Sequence, residues 1–396
     1  MKTKVKINKE KLFLYFILLP YLKPYNITLI PELDYIFKVW KVLATAILLT
    51  KFFYSKKKIH KPTFWLFGFL IIWMLSLIIN KGPINDYINN IMSIAGVTML
   101  FEYYFGNDNF KNNIIQSLYS ISVWFILLNL YTVVIHHPFF AGGMKLYDNA
   151  NFLGGDNYSA FILITLCGFM YFYDIKKYSI IRIKTWIVSF ASIASLTITF
   201  SFMGILTHLI LYFAVLAKNI KIRRILFRWQ NAVTLGIIIV VSVAYFHLDQ
   251  IIASLLFSMD KVGFNGRNYI WPMALQAIEK KPLLGYGGIT QELASTWFLA
   301  GANHTHNILL EYPFSTGIIG TIFFVIYFIS VLSKMKSMFA DDSLRILMYT
   351  LTAYMICSIL DFYIGLINFY LLLNMIYLFK NENMINRIIK QKTRGE

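Results

Sequence analysis

Apolar runs long enough to cross a bilayer alternate with short polar segments along almost the whole chain. A helix needs about 20 apolar residues to span the hydrocarbon core. That rule places spans near 11–30, 35–54, 62–80, 86–105, 114–135, 157–173, 185–200, 202–217, 232–248, 306–331, 345–361 and 363–380. Pro20 and Pro24, with Lys23 between them, interrupt the first run and predict a break near its outer end. The division at Ser201 has almost no polar residues to mark it. The pattern predicts an all-α polytopic membrane helical bundle of about 12 transmembrane helices, forming a single membrane domain over 1–396. Two external loops are predicted, at 136–156 and 249–305.

Composition agrees. Hydrophobic residues make up 58% and charged residues 14%, and mean hydropathy is +0.60; a soluble domain of this length needs far more polar surface. The formal charge of +18 raises the question of nucleic acid. The basic residues lie in short clusters between apolar runs, however, as cytoplasmic loops do, so no nucleic acid partner is expected and the surroundings are membrane lipids. Most of the 37 lysines and arginines fall on one side of the predicted spans, which puts both termini in the cytoplasm and the stretch 249–305 outside. Lys2, Lys4, Lys6, Lys9 and Lys11 precede an apolar run with no small-x-small cleavage site after it, so this run is read as an uncleaved first helix. Cys167 and Cys357 sit inside apolar spans and match no metal-ligand spacing; they are read as small buried hydrophobes.

Polar chemistry gathers in one place, from Met259 to Asn307. Ile270, Trp271, Ala274, Leu275 and Ile278 recur at helical spacing and predict a short amphipathic interfacial helix near 269–281. Its apolar side would face the membrane, with Pro272 in the first turn. Pro282 and Gly285-Tyr286-Gly287-Gly288 end it. Arg267 would lie beside the N-terminus of this helix, where a guanidinium and unpaired N–H groups suit a phosphate or pyrophosphate; an arginine snorkelling to headgroups is the plainer alternative. In His304-Thr305-His306-Asn307, a histidine at the mouth of a span can remain neutral near pH 7 and accept a proton from a hydroxyl, or simply cap the helix. The pair at i, i+2 could ligate a metal, but no cysteine or tight carboxylate cluster accompanies it in sequence. Asn307 and Glu311 share a helix face, and Glu311, about one turn inside the membrane, is expected to face a polar cavity or a cation. Gly317 and Gly320 would let another helix approach closely. His208, beside Thr207 in a span, reads as a helix–helix hydrogen-bonding group.

His306-Asn307 followed by nine residues, Gly317, two residues and Gly320 resembles the H-N-x9-G-x-x-G signature of the O-antigen ligase and polymerase superfamily, Wzy-type polysaccharide repeat-unit polymerases among them. Gly266-Arg267, Trp271, Ala274-Leu275, Ile278 and Pro282 to Gly287 look like the block that precedes it there. The resemblance implies a GT-C-like, metal-independent glycosyltransferase without a cofactor. It would act at the outer face of a bacterial cytoplasmic membrane on an undecaprenyl-pyrophosphate-linked oligosaccharide. In those terms Arg267 would hold the pyrophosphate and His306 would orient or deprotonate the acceptor hydroxyl. The expected reaction is polymerisation of repeat units into capsular, exopolysaccharide or O-antigen chains, with a flippase and a chain-length regulator of the same pathway as partners. The runner-up is ligase-type transfer to another acceptor. A lipid-linked glycan transporter or flippase is the different class, for which Lys41, Glu311 and Asp361 inside spans would speak and the lack of an internal repeat speaks against. One departure stands out: Ser201 is followed by Phe202-Met203-Gly204, where relatives often carry an arginine after the serine. A second cation must then come from elsewhere, with Lys38, Lys41, Lys145 and Lys261 as candidates, or be absent. Lys41, predicted about two turns below the surface, could instead snorkel or pair with Asp34 or Asp361. Substrate contacts are expected from His304, Asn307, Glu311, Lys145, Lys41 and Asn157, the last in a polar loop whose amides and tyrosines suit sugar hydroxyls.

Overall fold

The computed structural model describes residues 9–82, 84–136, 151–217, 228–246, 267–289, 293, 304–333 and 341–392. Among these it is an all-helical bundle. In chain order the helices are α1 (Lys9–Leu18), α2 (Pro31–Tyr54), α3 (Lys61–Ile79), α4 (Ile84–Tyr103), α5 (Asp108–His136), α6 (Asp156–Tyr178) and α7 (Ile183–Ile198). They continue with α8 (Phe202–Leu216), α9 (Trp229–Phe246), α10 (Arg267–Lys280), α11 (Ile308–Leu332), α12 (Asp342–Leu360) and α13 (Ile367–Lys392). Five of them, at Lys61–Ile79, Asp108–His136, Asn157–Tyr178, Ile308–Leu332 and Asp342–Leu360, are long and apolar enough to cross a membrane. Ile183–Ile198, Phe202–Leu216, Trp229–Val243 and Ile367–Lys380 are shorter apolar helices. The chain is a multi-pass membrane protein.

The first predicted span is shorter than its apolar run. α1 has 10 residues, about 15 Å at 1.5 Å per residue, and ends before Pro20; Pro24 then caps a single 3-10 turn at Tyr25–Leu29. Two prolines in five positions remove the donors that would carry the helix on. The faint boundary at Ser201 is a real break: Phe200 has φ 57°, and α8 starts at the next residue but one.

The core is apolar, but so is much of the outer surface. Ile71, Phe190, Phe202, Phe213, Ile237 and Ile322 face outward, a surface suited to lipid and costly in water. Polar side chains are turned inward instead. Thr185, Ser189, Ser192 and Ser195 make one buried stripe on α7. There Ser189 accepts from Tyr171 Oη at 2.7 Å, and Ser192 lies 3.3 Å from Cys167 Sγ. Small hydroxyl residues let helices approach and satisfy one another's polar groups where water is absent. Both cysteines are buried and unbridged. His208 Nδ1 lies 2.8 Å from Gly204 O, one turn back on α8, and the ring also meets the backbone of Leu163 on α6. α6 and α12 are the most enclosed of the long helices and pack on each other at the centre.

α11 is bent, and the bend is what the glycines serve. Pro313 lies inside it, and Gly317 takes φ 61°, ψ −170°, a conformation open essentially to glycine alone. The backbone groups that leave the helical ladder are taken up by Pro282–Gly287. Ile318 N donates to Pro282 O at 2.7 Å, Tyr286 N to Phe314 O at 2.8 Å and Gly287 N to Ser315 O at 2.8 Å. Trp73 Nε1 on α3 fastens the strap from its other side through Gly287 O at 2.8 Å. A Cβ on Gly317 would lie 2.2 Å from Leu283 O. Gly320 serves close packing in the ordinary sense, with a Cβ there meeting Ile72 of α3 at 3.2 Å. Gly317→Ala should therefore cost about 2–3 kcal/mol through strain and overpacking, lowering the thermal unfolding midpoint of the purified protein; an unchanged midpoint would remove the strap from this account.

Candidate functional site

The site is built at three element ends: the start of α10, the turn before α11 and the first residue beyond α12. α10 begins at Arg267 and buries Ile270, Trp271, Ala274 and Ala277 in a small apolar cluster with Val240 and Val243 of α9 and Leu310 and Phe314 of α11. The face expected to lie on lipid thus lies on protein. Pro272 falls inside the helix rather than in its first turn, so one backbone bond is forfeited while the buried face on either side of it, Ile270 and Trp271 before and Ala274 after, holds the helix through.

The turn 304–307 is held from behind. Glu311 Oε2 accepts from Thr305 N at 2.9 Å and from Thr305 Oγ1 at 2.8 Å, and Ser315 Oγ lies 3.4 Å from Oε1. Asn307 caps α11 by accepting from Leu309 N at 2.8 Å and donates to Ile359 O at 2.6 Å. Trp271 Nε1 donates to Thr305 O at 3.2 Å. Asn307 and Glu311, both candidates for substrate contact, therefore spend their hydrogen bonds on shaping the turn. This turn puts His306 at φ 55°, a left-handed conformation rare for a side chain of this size and characteristic of functional turns.

With the turn in this shape, both imidazoles reach the same carboxylate. His304 Nε2 lies 2.7 Å and His306 Nδ1 2.9 Å from Asp361 Oδ1, with the two rings 3.8 Å apart. Arg267 Nη2 approaches the other oxygen, Oδ2, at 4.0 Å, and its Nε donates to Leu360 O. Arg267 and His306, 39 positions apart, thus meet through Asp361. The sequence offered Asp361 only as an ionisable residue inside a span; α12 ends at Leu360, and Asp361 is its extended C-cap.

Electrostatics separate the two histidines. Desolvation lowers both, but the hydrogen bond and charge of Asp361 outweigh it at His304, whose pKa is raised. At His306 desolvation prevails, aided by the charge of His304, and its pKa is lowered. Burial would raise the Asp361 carboxyl, yet the two histidine hydrogen bonds hold it well below its ordinary value. The result is a carboxylate biased towards its charged form, His304 biased towards protonation and His306 biased towards the neutral form that a general base requires. The ligand atoms of His304, His306 and Asp361 also lie within 4.8 Å of one another. The carboxylate that the histidine pair lacked in sequence is supplied by the fold, and the three could hold a divalent cation. Arg267 beside Asp361 opposes a cation and favours an anion.

The other candidates lie apart from this cluster. Lys41 is buried on α2, with Nζ 3.4 Å from Asn89 O. Asn157 is half-buried in the first turn of α6. Lys145, most of the loop at 136–156, Lys261 and the stretch 259–266 lie outside the described residues.

Residues 187–325 match the family described as O-Antigen ligase. The range takes in Arg267, both histidines and the bend at Gly317. Over this range the chain is similar to that family. A relative, the ComP-specific O-oligosaccharyltransferase of Acinetobacter baylyi (strain ATCC 33305 / BD413 / ADP1), is 26% identical over 324 residues, 75% of this chain and 58% of the relative. The chain thus spans less than two thirds of that protein's length. Asp361 and Lys41 fall outside the matched family range. No local motif marks Asp361 in sequence; its one signal is a carboxylate directly after an apolar run.

Diethyl pyrocarbonate reacts with neutral imidazole, so labelling should reach half-extent at a lower pH for His306 than for His304. Asp361→Asn removes the interaction that raises His304, and its labelling profile should move to lower pH, towards that of His306. Peptide mass spectrometry across a pH series reads both; coincident profiles in the parent protein, or no movement in the variant, would overturn this assignment.

Proposed function

We propose that the protein transfers a lipid-linked oligosaccharide onto an acceptor hydroxyl, with Arg267, His306 and Asp361 as the reacting machinery. The observation that carries this is the convergence of a guanidinium and two imidazoles on one carboxylate at the ends of the spans, away from their middles. In the reaction the acceptor oxygen attacks the anomeric carbon of the donor sugar. The bond from that carbon to the lipid pyrophosphate breaks, the pyrophosphate leaves with the electron pair, and the hydroxyl proton passes to His306 Nε2. Asp361 accepts from His306 Nδ1–H, fixing the tautomer that leaves Nε2 as base and stabilising the imidazolium that forms. Arg267, at the start of α10, faces the charge that develops on the leaving group, where preorganised donors have their largest effect. Protonated His304 adds a second positive charge beside it.

Family and relative support glycan transfer of this kind. Of the two acceptor readings, the description O-Antigen ligase and the relative's name as an O-oligosaccharyltransferase favour ligase-type transfer over the repeat-unit polymerisation that the sequence first suggested. A transporter is the weaker reading, because a substrate-translocating site belongs near the midplane of broken helices. Undecaprenyl pyrophosphate as the lipid carrier, the outer face of the cytoplasmic membrane as the place of reaction and cytoplasmic termini complete the proposal.

His306→Ala should lower kcat/KM by about 10²–10⁴-fold, the range of a general base, and Arg267→Ala by about 10²–10³-fold, with both variants still inserted; near-parental activity of either would remove that residue from the site. Because His306 titrates below its ordinary 6.5 and acts as the neutral form, activity should rise with pH through a limb below that value. His304→Gln removes a neighbouring positive charge, which raises the His306 pKa and should move the limb upward; a limb that stays put would count against His306 as base. EDTA should leave a purified preparation active, and loss restored by a divalent cation would give the three ligands to a metal instead. In cells lacking the protein, glycan gels and mass spectrometry decide the acceptor: finished glycan left on its lipid means ligase-type transfer, and single repeats left on lipid mean polymerisation.

A further inference from the structure

A second polar recess, with a cavity of about 90 Å³, lies between α2, α4, α6 and the link from α12 to α13, lined in part by Lys23, Lys41, Asn90, Tyr158, Gly365 and Asn368. The volume is several times the ~10–15 Å³ that one water requires, enough for a small charged group and too little for a whole oligosaccharide. Its electrostatics are unbalanced. Lys41 is 7% exposed, its ammonium makes one long hydrogen bond, to Asn89 O at 3.4 Å, and among the described residues it forms no ion pair. The carboxylate nearest in sequence, Asp34, is committed to Lys23 and to Lys38, the latter at 2.8 Å. Asp34 is thus shared among three lysines, and an ammonium buried inside a membrane helix with so little counter-charge is expensive to keep. A bound anion is what would offset that cost.

The recess adjoins the Asp361 site across a single wall. Asn90 Nδ2 donates to Tyr363 Oη at 2.7 Å, and the Tyr363 ring lies 6.0 Å from that of His304. Gly365 closes the same wall; a Cβ there would meet Tyr363 at 2.6 Å and Asn90 at 2.8 Å. It follows Asp361 by four residues, so their backbones are at most about 15 Å apart.

We propose that this recess is an anion subsite in which Lys41 and Asn90 bind an oxyanion, a phosphate or a sugar carboxylate, of a glycan substrate whose reacting end lies at Asp361. The subsite rests on the transfer reading above for its role, and on the buried, unpaired ammonium for its existence. It supplies the second cation that the missing arginine after Ser201 left unassigned, from a different part of the chain.

The test uses the full-length purified protein and two probes, inorganic pyrophosphate for a phosphate and glucuronate for a sugar carboxylate. Binding is read as a rise in the thermal unfolding midpoint across a concentration series. Arg267→Gln, which empties the reaction site of its guanidinium, should still be stabilised by one of the probes. In Lys41→Met that stabilisation should be lost, in Lys41→Arg kept, and in Asn90→Ala weakened by about tenfold in apparent Kd. Lys41→Met should also be at least as stable as the parent without any anion, since an apolar side chain of similar length replaces a poorly compensated charge. Stabilisation by pyrophosphate alone assigns the subsite to phosphate, and by glucuronate alone to a sugar acid. Stabilisation by neither, or equal stabilisation of Lys41→Met and the parent, overturns the proposal. Loss of the subsite with transfer intact leaves the proposed reaction standing; an intact anion response in a protein that transfers nothing does the reverse.

Discussion

One carboxylate carries the organisation of the site. Asp361 is desolvated, and an ionised carboxylate in such a place is tolerable only when its lone pairs are used. His304 and His306 share one oxygen at 2.7 and 2.9 Å, and Arg267 stands 4.0 Å from the other. Each partner is therefore fixed by the same requirement that keeps Asp361 charged. The two imidazoles are also made unlike by it, because the one carboxylate cannot compensate burial fully for both. A pair of identical residues two positions apart is shifted in opposite directions.

The membrane scaffold explains how such a site can exist at the end of a bundle. Helices in lipid must satisfy their own backbone groups, and irregular backbone survives only where protein buries it. The bend of α11 at Gly317 is of this kind: the strap Pro282–Gly287 takes the hydrogen bonds that the helix gives up, and α3 backs the strap through Trp73. The same strap follows directly on α10, whose first residue is Arg267. The glycines of the motif thus serve the geometry of the arginine at a distance. Glu311 works similarly from inside the bundle, where its buried carboxylate shapes the turn that carries the histidines. Buried charge recurs through the described bundle: Asp174 pairs with Arg182, Glu102 with His60 and Thr63, Lys380 with Ser330, Val331 and Ser333, and Glu311 with Thr305. Lys41 is held by far less, one long hydrogen bond to Asn89 O.

How much of this was legible in the chain differs by the range of the force involved. The bilayer imposes a length and a polarity on every segment independently of its neighbours, so the helices, the multi-pass bundle and the break at Pro20 and Pro24 follow from local pattern. The resemblance to the ligase and polymerase signature is legible for a related reason, since its residues recur at fixed spacing within one stretch. The faces of helices were less legible: the apolar stripe of α10 is equally suited to lipid and to the flanks of α9 and α11, and periodicity does not tell them apart.

The sequence by itself determined that this chain is a helical membrane protein and where its polar residues gather, because hydropathy and residue spacing are properties of neighbouring residues. Only the tertiary structure decided that Asp361 joins Arg267 to the histidines, that Asn307 and Glu311 face the turn they support, and that Lys41 lies in a recess beside Tyr363. Those are long-range pairings, set by which helix ends the packing of the bundle brings together.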